Sequence, residues 1–283
     1  MGGFHLGQSH LPDADATALV HAGVDRGIMF LDNSWDYNSG ASELRMGRAL
    51  AVGGYRDRVF LMTKIDGRTK AAAAKQIDES LARLLTDRID LVQFHENIRR
   101  DDADRIFAQG GAFEAAVEAR AAGKIRYIGF TGHKDPALHL HMIDVARAHD
   151  FVFDTVQMPL NVMDAHFRSF ERDVLPVATE LDMGVIAMKT FGDHKILDAG
   201  LLDPIDMLHY GMNLPTSVVV TGIDSQAVLD QAIRAAETFE PVPVERVAAW
   251  LAKTAPVAAD GATELYKTTQ FFDSTAQNPH WLG

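Results

Sequence analysis

The sequence predicts a single (β/α)8 barrel, with parallel strands inside and helices outside. Three observations carry this. Short apolar runs alternate with longer stretches of helical period, which is the pattern of a parallel sheet connected by crossover helices. Successive runs end 26 to 36 residues apart, about the size of one βα unit. An open, doubly wound nucleotide-binding sheet would need a Gly-x-Gly-x-x-Gly turn after its first strand, and the chain has none. At 283 residues the chain fits one barrel, a fold that commonly occupies about 250 residues as one domain.

In chain order, the runs are Gly27 to Asp32, Val59 to Lys64, Ile89 to His95, Tyr127 to Thr131, Phe153 to Gln157, Val185 to Lys189 and Ser217 to Gly222. Most are continuous in Val, Ile, Leu and Phe, as strands buried on both faces require. An eighth run should come first, but only Gly2 to Leu6 precedes a polar segment. The barrel is therefore expected to begin with a stub, or to lack residues upstream. Lys70 to Leu85 reads as a helix on Ile77, Leu81 and Leu84 or Leu85, and Pro136 to His149 on Leu138, Met142, Ile143 and Val145. Glu43 and Arg48 look like the solvated face of a helix. After Gly222 come helices at Gln226 to Phe239 and Val244 to Ala255. Residues 240–283 form an extension packed on the barrel, its irregular end anchored by Tyr266, Phe271, Phe272 and Trp281.

Composition narrows the function. The net charge is −12 and no basic run offsets it, so neither nucleic acid nor an anionic membrane is an expected partner. With no cysteine, disulfides, thiolate metal sites and cysteine nucleophiles are excluded. No apolar stretch is long enough for a membrane span and the first residues do not read as a secretion signal, which makes the cytoplasm the expected compartment. Nothing in the sequence sets the oligomeric state.

In such barrels chemistry sits at the C-terminal strand ends. The last residues of the runs are Asp32, Lys64, His95, Thr131, Gln157, Lys189 and Gly222, six of them polar, and Tyr37 stands five positions after Asp32. Polar groups buried at one end of apolar strands are costly unless paired, so their recurrence points to one shared site. The set suits proton transfer to a carbonyl oxygen. Tyr37 would be the acid or base, Lys64 would lower its pKa, Asp32 would hold Lys64 charged, and His95 would bind the oxygen. No side chain supplies hydride, so a redox cofactor is required.

These residues resemble the aldo-keto reductase family. FLDNSWDY is similar to the pattern placing an Asp five residues before the catalytic Tyr, VFLMTK to the strand with the catalytic Lys, and DESLARLLTDRIDLVQFH to the segment ending in the catalytic His. The likeness runs from about Gly3 to about Ile233. It implies catalytic roles for Asp32, Tyr37, Lys64 and His95. It also implies that Thr131, Gly132 and Gln157 face a nicotinamide carboxamide, although Gly132 stands where the family usually has Asn. Met188 replaces the customary stacking aromatic, and Lys189 would meet the pyrophosphate. Gly222, Asp224 and Ser225 fall at the adenosine end. The resemblance implies NADPH, with NADH possible because no Lys or Arg lies in residues 222–228 and Asp224 would repel a 2′-phosphate.

The implied substrate is a small carbonyl compound, with Phe4, His5, Trp35 and Asn97 expected around it. Two other readings compete. One is a cofactor-binding regulatory barrel with little turnover. The other is a metal-dependent barrel hydrolase or isomerase using His95, Glu96 and His133, with His5 nearby. The second lacks a His-x-His pair at the first strand, so no metal is expected.

Overall fold

The structure, a computed structural model, describes residues 1–283. Seven strands pair in parallel in chain order: β1 (Phe30–Asp32), β2 (Phe60–Ile65), β3 (Ile89–Phe94), β4 (Ile125–Thr131), β5 (Thr155–Pro159), β6 (Gly184–Met188) and β7 (Val218–Val219). The ring closes at Gly2, which bridges in parallel to Asp32 on one side and Gly222 on the other. Gly2 N donates to Thr221 O at 2.8 Å, and Asp32 N to Met1 O at 2.9 Å. The stub is thus the eighth barrel position. A Cβ on Gly3 would sit 2.8 Å from Asp32 O, so the seam leaves no room for a side chain there.

Helices cover the outside. Asp13–Asp25 precedes β1, and Ala41–Leu50, Lys70–Arg83, Ala112–Ala121, Pro136–Ala148, Leu175–Glu180, Pro204–Asn213 and Gln226–Glu237 follow the successive strands. Thr69, Asp135 and Ser225 cap three of them by accepting from backbone N–H groups of the first turn. Lys70–Arg83 stops short of Leu85 because that residue takes a left-handed φ of 52°.

Strand alternation decides what faces the site. Met62, Leu91, Ile186 and Val220 pack inside the barrel with Phe30, Phe60, Tyr127 and Val218, while Leu61, Ile65, Val92 and Phe94 join the core under the helices. Two residues above the inward Met62 comes Lys64, and two above Phe30 comes Asp32. Gln157 reaches across the ring to Asp32. The polar residues are therefore the top layer of a stack that is otherwise apolar.

The helix Val244–Ala258 buries Trp250 and Ala258 against Val162, Met163, Ile196, Met207 and Tyr210. Beyond it, the tail is anchored mainly by charge. The fully buried Lys267 ammonium pairs with Asp164 at 2.6 Å and Glu264 at 2.9 Å. Of the four aromatics expected to hold the tail, Tyr266 is buried and Trp281 packs edge-on to Trp35. Phe272 lies under Lys189, but Phe271 is 84% exposed and holds nothing. No helix is long and apolar enough to cross a membrane.

Candidate active site

The strand ends bring together the four residues expected to do chemistry. The Lys64 ammonium, 1% exposed, pairs with Asp32, donates to Asn33 O at 2.8 Å and lies 3.2 Å from the Tyr37 hydroxyl. It also sits 4.7 Å from the centre of the Tyr37 ring. Gln157 Nε2 donates to the other Asp32 oxygen at 2.7 Å. Tyr37 enters from a tight turn, Tyr37–Gly40, in which Asn38 and Ser39 have left-handed φ. The rings of Phe4 and His95 flank it edge-on at 5.4 and 5.8 Å.

The net effect on the Tyr37 phenol runs opposite to the expected lowering by Lys64. Burial, and then the carboxylates of Asp32, Asp36, Glu96 and Asp66, hold the phenol well above its ordinary value. The Lys64 charge is already shared with Asp32 and Asn33 O, so what reaches the phenol is outweighed.

His95 is surrounded more closely than the sequence suggested. Its Nδ1 lies 3.0 Å from Asp66 Oδ1, 3.3 Å from Asp36 Oδ1 and 3.3 Å from Ser34 Oγ. Burial opposes charge on the ring, but Asp36 and Asp66 outweigh it and raise its pKa to about 10. Asp66 is itself raised to about 6, by burial and then by Asp36. Arg68, fully buried, pins the same region by donating to the carbonyls of Asp66, His95 and Glu96.

On the side expected to hold a cofactor, Gln157 Oε1, Thr131 Oγ1 and Asn97 Oδ1 are buried without a hydrogen-bond partner. Thr131 and Gln157 are register partners, and Asn97 Nδ2 donates to Thr131 O at 2.8 Å, so the three form one group. Buried polar atoms are seldom left unpaired, and this group fits a ligand that both donates and accepts, as a primary carboxamide does. Gly132 has no room for the family's Asn. A Cβ there would lie 2.7 Å from Asn97 O and 2.9 Å from His139 Cε1. Met188 ends β6, half-buried. Lys189 follows with φ 59° and sets its ammonium 4.5 Å from the Phe272 ring centre; burial lowers its pKa. Gly222 closes the seam, Asp224 is half-buried, and Ser225 caps the next helix through Val228 N.

The residues expected around substrate divide. Phe4 stands beside Tyr37 and is 43% exposed. His5 packs on Gly222, where a Cβ would overlap its ring, with Asp224 and Lys189 among its charged neighbours, so it belongs to the Gly222 side. Asn97 is 2% exposed and belongs to the Thr131 group. The Trp35 indole donates to Glu79 at 2.7 Å, under the Arg83 guanidinium and against Trp281.

The set weighed as metal ligands is used otherwise. His133 pairs with Asp273 at 3.1 Å, while Glu96 accepts from the Ser274 and Thr275 backbone N–H groups at 2.9 and 2.7 Å. Ligand atoms of Asp36, Asp66 and His95 do lie within 4.8 Å of one another, and the ion pairs of the imidazole account for them.

Three things escaped the sequence reading. Asp36 and Asp66 stand one residue before Tyr37 and two after Lys64, and that adjacency was the available signal. Glu43 is not a solvated helix residue. It is buried, accepting from Thr63 Oγ1 at 2.6 Å and pairing with Arg83 at 3.4 Å.

Comparison with known proteins points to one family. The family model described as aldo/keto reductase family matches residues 1–204. The aldo-keto reductase YhdN of Bacillus subtilis is 32% identical over 171 residues, covering 57% of this chain and 47% of that protein. The uncharacterized oxidoreductase YrpG of the same organism is 29% identical over 191 residues, covering 61% and 56%. The chain thus spans about half the length of the curated relatives it matches. Among solved structures, an aldo-keto reductase of Bacillus halodurans in its holo form superposes with a TM-score of 0.74 at 21% identity, covering 93% of this chain and 94% of that one. An aldo-keto reductase of Klebsiella pneumoniae in complex with NADPH gives 0.72 at 22%, covering 90% of each chain. At such identities these two speak for the fold. With the family model spanning most of its length, the chain belongs to the aldo/keto reductase family.

Proposed function

We propose that this chain is an NAD(P)(H)-dependent oxidoreductase that interconverts an aldehyde or ketone with the corresponding alcohol. The observation that carries the reading is the Tyr37 hydroxyl, 3.2 Å from a buried Lys64 that is itself paired with Asp32. The nicotinamide, when bound, supplies the hydride for the carbonyl carbon. The chain's own residues do the rest. Thr131 and Gln157 would offer their unpartnered atoms to the carboxamide, and Met188, Lys189 and the Gly222 to Ser225 turn would hold the remainder of the dinucleotide.

Tyr37, which keeps its proton, gives it to the substrate oxygen as negative charge develops there. Lys64 orients the hydroxyl, Asp32 fixes Lys64, and His95 hydrogen-bonds the same oxygen. In the reverse direction Tyr37 must first lose its proton, so alcohol oxidation should need a higher pH than carbonyl reduction. The Phe4 ring gives the substrate side an apolar wall that suits an aromatic or aliphatic carbonyl compound.

NADPH is the assigned dinucleotide, on the strength of similar reductases solved with NADPH or NADP. NADH is the alternative that the absence of Lys and Arg from residues 222–228 favours. Calorimetric titration with each dinucleotide tests both. If neither binds, the reading fails.

A further inference from the structure

We infer that Asp36 and Asp66 are positioning residues: by holding Nδ1 of His95 between them they keep the ring an imidazolium, so that Nε2 presents a proton, and the ring a positive charge, to the substrate oxygen. The inference rests on the carbonyl reductase reading above and deepens it.

The geometry leaves little choice of tautomer. Every polar partner of the His95 ring lies on Nδ1: Asp66 at 3.0 Å, Asp36 at 3.3 Å and Ser34 Oγ at 3.3 Å. A bare lone pair on Nδ1 would face two carboxylates, which is repulsive, so Nδ1 carries a proton. A neutral ring has only one N–H. With that proton on Nδ1, Nε2 would be an acceptor and could not donate to a carbonyl. Donation from Nε2 therefore requires the doubly protonated ring, and two carboxylates at one nitrogen, that of Asp66 buried and that of Asp36 largely enclosed, stabilise that state. The second oxygen of Asp66 has no partner, so that carboxylate is engaged only through its contact with the ring.

Other groups around the ring are consistent with the assignment. Asp36 comes from the loop after β1, Asp66 from the loop after β2, and Glu96 follows His95 just beyond β3. The Tyr37 ring flanks it, and Arg68 donates to the His95 carbonyl rather than to the ring. From the C-terminal tail, the Ser274 hydroxyl lies 2.8 Å from Asp36 Oδ2 and 2.7 Å from Glu96 Oε1, fixing Asp36 in its pose. The tail thereby reaches the catalytic ring through one carboxylate. A charged His95 would lend the oxygen more than orientation. It would stabilise the developing alkoxide electrostatically, which is commonly a large part of such catalysis.

The test is a pH titration of the ¹⁵N-histidine-labelled, full-length protein by NMR, with the His95 signals assigned by their loss in His95→Gln. The wild-type ring should stay doubly protonated past pH 8, against about 6.5 for an unperturbed imidazole. Asp36→Asn should lower its midpoint by at least one pH unit, and Asp66→Asn by at least as much. The alkaline limb of the pH profile of kcat/KM for carbonyl reduction should move with it. A wild-type His95 titrating near its ordinary value overturns the inference without any variant. So does a midpoint unmoved in Asp36→Asn, which remains informative if the buried Asp66→Asn fails to fold. If His95 is cationic but no carbonyl compound is reduced with either dinucleotide, the charge assignment stands and the reductase reading falls.

Discussion

The molecule contains the same chemical kit twice. At the strand ends, Tyr37, Lys64 and Asp32 meet beside the Gln157 amide. Under the tail, Tyr266, Lys267, Glu264 and Asp164 meet beside the Asn161 amide. In the second cluster every valence of the phenol is used. The Tyr266 hydroxyl donates to Glu264 at 2.6 Å and accepts from Asn161 at 2.9 Å, and it is fully buried. In the first, the Tyr37 hydroxyl only accepts from Lys64, so its own proton remains to be given. Residue type does not separate a catalyst from a clamp here. In the function proposed above, the difference is an uncommitted proton on the half-buried Tyr37.

Substitutions at matched positions should break this comparison or sharpen it. Tyr37→Phe should lower kcat by about 10²–10⁴, the usual worth of a positioned general acid, while dinucleotide affinity stays within a few-fold by calorimetry. Full turnover in that variant would remove the assignment. Lys267→Met should act on stability, leaving Asp164 and Glu264 buried without their cation, at a cost of about 3–5 kcal/mol in denaturant unfolding. Tyr266→Phe leaves Glu264 and Asn161 one partner short and should cost about 1–3 kcal/mol with turnover nearly unchanged. If Tyr266→Phe lost turnover as completely as Tyr37→Phe, the division between catalyst and clamp would be wrong.

The smallest effect concerns pH. The folded-state pKa of His95 is raised, against its burial, by Asp36 and Asp66, so its contribution to stability is full below about 6.5 and is lost as pH rises through about 10. The thermal midpoint should therefore decline on the alkaline side in the wild type. In His95→Gln that component of the decline should be absent.

Much of the barrel was readable because its signals are local. Buried parallel strands are continuous apolar runs, and β1 to β6 end within two residues of the expected run ends at 32, 64, 95, 131, 157 and 189. β7 is only two residues long, with Ile186 and Ala187 pairing Val218 and Val219 before the chain turns to the seam, and no local pattern announces that. Of the four residues proposed for catalysis, Asp32, Lys64 and His95 were readable as polar ends on apolar strands, and Tyr37 by its spacing from Asp32. Their charge balance was not, since the Tyr37 shift depends on four carboxylates from three different segments meeting in space. The tail was least readable of all. Its anchors join Ser274 to Glu96 and Lys267 to Asp164, across 178 and 103 residues, and separations of that kind leave no periodicity. Glu43 was misread for a related reason, because Thr63 lies on another element.

The one-residue closure of the barrel has a consequence for the chemistry. Asp32 belongs to the seam and to the site together: its backbone is stitched to Met1 and Gly3, and its carboxylate steadies Lys64 and Gln157. Release of residues 1–3 from the seam should therefore loosen the hold of Asp32 on the ammonium. Hydrogen exchange at the Asp32 amide should report on catalytic competence more directly than global melting does.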